Sequence, residues 1–94
     1  MIHDVVAVRR LGGHRLHLHF DDGVEGELDV ARLVEFSGVF EPLRDATYFA
    51  QVRVVPELGT IGWPNGADLD PLVLYYAVQG KPVPDLEGPR KRAP

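Results

Sequence analysis

A small α+β domain, with an antiparallel β-sheet built from hairpins and short helices packed on one side, is the fold class this sequence predicts. Three observations carry the prediction. Two neighbouring segments alternate apolar and polar residues around Asp21-Asp22-Gly23, a compact Trp63-Pro64-Asn65-Gly66 turn leads into an apolar run, and 94 residues leave room for one core only.

The first element reads as a strand over residues 4 to 11, rich in β-branched side chains and ending at Gly12-Gly13. Its register stays open. A loop of the two glycines alone sets Ala7 opposite Leu18, and a loop that also takes in His14 sets Val8 there. In the second strand Leu16, Leu18 and Phe20 alternate with Arg15, His17 and His19. In the third, Val24, Gly26, Leu28 and Val30 alternate with Glu25, Glu27 and Asp29. The two apolar faces match only if Phe20 pairs with Val24, which demands a three-residue loop with Gly23 left-handed. That register puts His19 opposite Glu25, His17 opposite Glu27 and Arg15 opposite Asp29, and so accounts for the histidines without a function.

Asp29 is placed to cap a short helix carrying Val30, Leu33 and Val34, stopped by Ser37-Gly38. Two more short helical stretches are expected, at Phe40 to Leu43 and at Thr47 to Gln51 after Asp45. They are too short to stand alone, so Phe40, Leu43 and Phe49 must hold them by packing. Val52 to Val55 and Thr60 to Trp63 read as a second hairpin. Pro64 and Gly66 suit a type I turn from Trp63 to Gly66, and Asp70-Pro71 is an N-cap followed by proline at the first helical position. The last helix then carries Leu72, Leu74, Tyr75 and Val78, with Gly80 as its stop. Residues 1–80 form the expected domain. Residues 81–94 hold four of the eight prolines and read as a disordered tail.

Composition narrows the function. A formal net charge of −4 gives no general attraction to a phosphate backbone, so direct nucleic-acid binding is not expected. The absence of cysteine removes disulfides, thiolate metal sites and a cysteine nucleophile. No apolar run approaches a membrane span and the start lacks a basic region before a long apolar stretch, so a cytoplasmic protein is expected. Ser37 is the only serine and has no Gly-x-Ser-x-Gly around it, and Gly12-Gly13 has no following lysine to make a phosphate loop. The expectation is therefore no enzyme and no cofactor.

The series Phe20-Asp21-Asp22-Gly23, Phe40-Glu41-Pro42-Leu43-Arg44-Asp45, Tyr48-Phe49 and Trp63-Pro64-Asn65-Gly66-Ala67-Asp68-Leu69-Asp70-Pro71 with Leu74-Tyr75 resembles a small bacterial family, the domain of unknown function 2442. The resemblance covers roughly residues 3 to 78. It implies an α+β domain without an established catalytic activity, encoded in many members beside a second small protein in an arrangement similar to toxin and antitoxin pairs. Some members also carry a C-terminal helix-turn-helix, which is not expected within these 94 residues. At Leu72 the family commonly has an acidic residue, whereas Asp68 and Asp70 match.

The candidate interaction residues are Trp63, Asn65, Asp68, Asp70 and Tyr76. Two carboxylates two apart beside backbone amides can bind a cation or a basic partner. The plainer reading is that Asp70 caps the helix while Asp68 serves its own turn. Trp63, Tyr75 and Tyr76 are expected in the core, with Tyr76 showing an edge that a protein interface could use. His17 and His19, with His14 or with Glu25 and Glu27, could in principle assemble a zinc or other metal site, and no metal site is expected from so sparse a pattern. Arg90-Lys91-Arg92 reads as a solvated end. The leading expectation is a non-enzymatic protein-interaction module, the antitoxin-like or regulatory member of a two-gene pair, whose partner is another protein or, through exposed strand edges, a second copy. The alternative is a metal- or small-ligand-binding protein using His17, His19 or Asp68.

Overall fold

The computed structural model describes residues 3–81. The element order is β1 (Val5–Gly12), β2 (Arg15–Phe20), β3 (Glu25–Asp29), α1 (Val30–Leu33), a 3-10 helix (Gly38–Arg44), α2 (Ala46–Phe49), β4 (Arg53–Val55), β5 (Thr60–Gly62) and α3 (Pro71–Val78). The α+β class is as predicted, with the antiparallel strands divided between a three-stranded sheet, β1-β2-β3, and a two-stranded sheet, β4-β5. Apart from Lys81, the predicted tail lies outside the described residues.

The β2–β3 register is the one that side-chain alternation and the three-residue loop together require. His19 faces Glu25, Leu18 faces Gly26, and Leu16 faces Leu28. Phe20 N–H donates to the Val24 carbonyl at 2.8 Å across a loop in which Gly23 has φ +93°. In the first hairpin Val8 lies opposite Leu18, which settles the open register. The pairing shifts between Val5 and Ala7 and again between Arg10 and Gly12, so Val6 and Leu11 are each extra residues of β1.

Each α-helix starts where an aspartate can hold its first amides, whereas the 3-10 helix starts after Ser37 without a side-chain cap. Asp29 accepts from Ala31 N–H, Asp45 from Thr47 N–H, and Asp70 from Leu72 N–H, all near 3 Å. The first helix is shorter than expected because Val34 is already extended (φ −138°), and the stretch after Ser37 is a 3-10 helix around Pro42. The second hairpin is also shorter than the apolar run suggests. Val52 N–H turns back to the Phe49 carbonyl and Trp63 N–H to the Ala67 carbonyl, so neither residue joins the ladder.

One core holds the elements together. Leu16, Leu18 and Phe20 from β2, Val30, Leu43, Phe49, Ile61, Trp63 and Leu74 are all fully buried or nearly so. Burying a side chain of this size contributes about 1.5 to 3 kcal/mol. The second sheet is tied to the first where Val5 N–H donates to the Gly59 carbonyl at 3.0 Å. The helices and the second sheet share the core with β2's Leu16, Leu18 and Phe20, so they all cover one face of the three-stranded sheet. Among the described residues, no element covers its other face.

Candidate functional site

The turn from Trp63 to Asp70 is built of polar groups that serve the backbone of their own chain. Gly66 N–H closes the four-residue turn onto the Trp63 carbonyl at 3.0 Å. Asn65 accepts from Ala67 N–H through Oδ1 and donates through Nδ2 to the Val39 carbonyl, while its own N–H reaches the Tyr48 hydroxyl. A single exposed residue thus pins the turn to the 3-10 helix and to α2. Trp63 is 1% exposed and its indole N–H donates to the Phe49 carbonyl at 3.0 Å, which places it in the core and not on a contact surface. Thr60, wholly buried, donates its hydroxyl to the Leu69 carbonyl at 2.6 Å and fastens the segment to β5.

Asp70 caps α3, and Asp68, half-buried, bridges its backbone to Gly62. Tyr76 is half-buried beside Tyr75, ring centroids 6.3 Å apart. The five sequence candidates therefore do not converge on one site. Trp63, Asn65 and Asp70 hold the scaffold, and Tyr76 lies further along α3.

The open face of the three-stranded sheet carries a row of charged side chains. Alternation places Arg9, Arg15, His17, His19, Glu25, Glu27 and Asp29 on it. The backbone register is the predicted one, but the side chains pair one step along. Asp29 is committed to capping α1, so Arg15 turns to Glu27 at 4.0 Å, and His17 Nε2 donates to Glu25 Oε1 at 2.8 Å. His19 stands 3.8 Å from the same oxygen. The His17 hydrogen bond first, then the charge of His19, holds the Glu25 carboxyl below the usual carboxylate range. His14 is remote from this group: its Nε2 donates to the Leu43 carbonyl at 2.7 Å between the edges of Phe36 and Phe49. Among the described residues no three His, Asp or Glu side chains are arranged to hold a metal ion.

The edge of that face has a definite polarity. Phe20 N–H bonds to the Val24 carbonyl and Val30 N–H to the His14 carbonyl, so Val24, Gly26, Leu28 and Val30 direct their backbone groups toward β2. Antiparallel alternation then turns the N–H and C=O of Glu25 and Glu27 outward, away from the sheet. Both residues are exposed.

A third cluster was not legible in the sequence. His3 stacks on Tyr75 with ring centroids 3.8 Å apart, the Tyr75 hydroxyl donates to Asp22 Oδ2 at 2.5 Å, and His3 Nδ1 lies 3.4 Å from that oxygen. The Tyr75 bond, then the Val24 N–H, lowers the Asp22 carboxyl below its ordinary value, and the same bond raises the Tyr75 phenol. The trio joins the start of the chain, the β2–β3 loop and α3. Asp22 reads in sequence only as a turn residue, and nothing local marks a contact across 53 positions.

The profile of one family, described as "Protein of unknown function (DUF2442)", matches residues 5–80. The chain belongs to this family. The match spans every strand and helix of the DUF2442 domain described above, including the Trp63–Asp70 turn. No curated protein and no solved structure matches the chain. Among the described residues of this DUF2442 chain, no helix is long and apolar enough to cross a membrane.

Proposed function

We propose that this DUF2442 chain is a non-enzymatic protein-interaction module, the antitoxin-like or regulatory member of a two-gene pair. The observation that carries the reading is the one-sided sheet: helices and second sheet cover one face of β1-β2-β3, while among the described residues nothing covers the other face or the β3 edge with their charged side chains. The chemistry-bearing residues of the Trp63–Asp70 segment support it from the other direction. Asn65 and Asp70 hold backbone groups at about 3 Å, which suits a scaffold and not a reacting centre.

The metal reading finds less support. Each imidazole it would use already has a neighbour, His17 and His19 the Glu25 carboxylate and His14 a carbonyl. The test of the leading proposal is affinity purification of the full-length chain from its own host, with the retained proteins identified by mass spectrometry. A partner encoded by the adjacent gene, retained in stoichiometric amount, is the expected result. Recovery of the free chain alone across salt and growth conditions overturns it.

A further inference from the structure

A strand edge is a template for another strand, and the three-stranded sheet has two of them. They are not equivalent. The β1 edge is broken by the extra residues Val6 and Leu11, and at its start Val5 N–H is already bonded to the Gly59 carbonyl. The β3 edge has no such interruption, since its pairing with β2 runs from Arg15–Asp29 to His19–Glu25 without a shift. Among the described residues, no hydrogen bond takes up the outward N–H or C=O of Glu25 or Glu27.

We propose that the outward edge of β3 is a docking site for an extended protein segment with Lys or Arg at alternate positions, which joins the sheet as a fourth strand. The inference rests on the interaction-module reading and names the partner's chemistry. Side chains of an added strand fall alternately on the two faces. On the open face they lie beside Glu25, Glu27 and Asp29, where a basic residue is matched and an acidic one is repelled. On the covered face they lie beside Gly26 and Leu28, near the end of α3 at Val78, where an apolar residue fits. The required pattern is basic and apolar in alternation over about the length of β3.

Charge also argues against a second copy as the occupant. Two β3 strands paired about a two-fold axis set glutamates opposite glutamates, which is destabilising for residues directly across a ladder. The bases already on this row do not close the site: His17 and His19 both meet the Oε1 atom of Glu25, whose side chain is 53% exposed, and Arg15 and Glu27 are 4.0 Å apart with side chains 56% and 60% exposed. A pair of that kind is weak and exchanges readily for a better-placed partner.

The test uses the full-length chain and the synthetic peptide Val-Lys-Val-Lys-Val-Lys-Val, with Val-Glu-Val-Glu-Val-Glu-Val as its counterpart. Amide hydrogen exchange followed by NMR is expected to slow roughly ten-fold at Glu25 and Glu27 when the lysine peptide is bound. The glutamate peptide is expected to bind roughly ten-fold more weakly, and the gap to narrow at high salt. E25K/E27K keeps the backbone edge and is expected to reverse the preference. Glu27→Pro removes an outward N–H that makes no ladder bond and is expected to abolish binding. If that variant does not fold, the charge reversal decides.

Three results overturn the proposal: no perturbation by the lysine peptide, perturbation of His17 and His19 without slowed exchange at the edge amides, or concentration-dependent protection of those amides in the chain alone. A host protein retained equally by the parent and by E25K/E27K overturns the β3 edge and leaves the module reading standing. A parent chain that retains no host protein removes that broader reading, whatever the peptide does.

Discussion

Replacing Gly26 with alanine tests how closely α3 is seated on the sheet. A Cβ built at this position falls inside van der Waals contact of the Val78 carbonyl oxygen and lies 3.2 Å from the Val78 Cβ and 3.3 Å from its carbonyl carbon. Gly26 is not among the glycines with positive φ, so the substitution brings no backbone strain. Reduced freedom of the unfolded chain should even favour alanine by about 0.4 to 1 kcal/mol. Crowding acts against this, and the atom met first is a backbone oxygen, which cannot swing away as the far end of a flexible side chain would. Overpacking of this sort costs about 1 to 3 kcal/mol, so the net destabilisation is about 1 to 2 kcal/mol. For a domain of this size 1 kcal/mol shifts Tm by about 4 to 8 °C, which places the G26A midpoint about 5 to 15 °C below the parent. Thermal and urea unfolding followed by circular dichroism measure it. A variant as stable as the parent, or more so, would refute the seating of Val78 over Gly26.

Asp70→Ala removes the cap of α3 and is expected to cost about 1 kcal/mol in urea unfolding, with Asp70→Asn retaining most of the stability. Thr60→Val keeps the shape but leaves the Leu69 carbonyl without its donor in a buried setting, an expected loss of about 1 to 3 kcal/mol by the same assay. Tyr75→Phe is expected to destabilise over a bounded pH range. The lowered Asp22 carboxyl contributes stability above its unfolded value of about 4 that is lost as pH falls through the folded value. The raised Tyr75 phenol contributes stability below its unfolded value of about 10 that is lost as pH rises through the folded value. The gap between parent and Y75F should therefore be widest between those limits and shrink on both sides, and a gap independent of pH would count against the Asp22–Tyr75 bond.

Much of the fold was legible because short-range rules act without competition in this chain. Alternation and the short Asp21-Asp22-Gly23 loop together fixed the β2–β3 pairing, since the tightest loop that keeps Leu16, Leu18 and Phe20 on the same face as Gly26 and Leu28 pairs Phe20 with Val24. The helix starts were legible from Asp29, Asp45 and Asp70 for a similar reason, because each cap is satisfied within two residues. The ends of elements were not. Val34, Val52 and Trp63 continue apolar patterns, yet their backbones turn away to satisfy partners that the pattern does not contain. The candidate site was legible only in part. Sequence placed the charged row on the open face, but which carboxylate each base finds depends on Asp29 being spent on a helix cap. The His3, Asp22 and Tyr75 group depends wholly on long-range docking, and the edge at Glu25 and Glu27 becomes visible only once β3 is known to be the last strand of its sheet.

Asn65 followed by Gly66 is chemically an ageing-prone pair: the glycine nitrogen attacks the side-chain amide, ammonia leaves, and a succinimide opens to aspartate or isoaspartate. In the folded chain that nitrogen is engaged with the Trp63 carbonyl while the amide is held by Val39 and Ala67. Native packing thus protects a bond that the unfolded polypeptide exposes. Once deamidation occurs, a carboxylate sits where Nδ2 donated to the Val39 carbonyl, the turn loses that anchor, and the altered molecule refolds less well than the original. Chain that has lingered unfolded therefore carries a covalent record of it at residue 65.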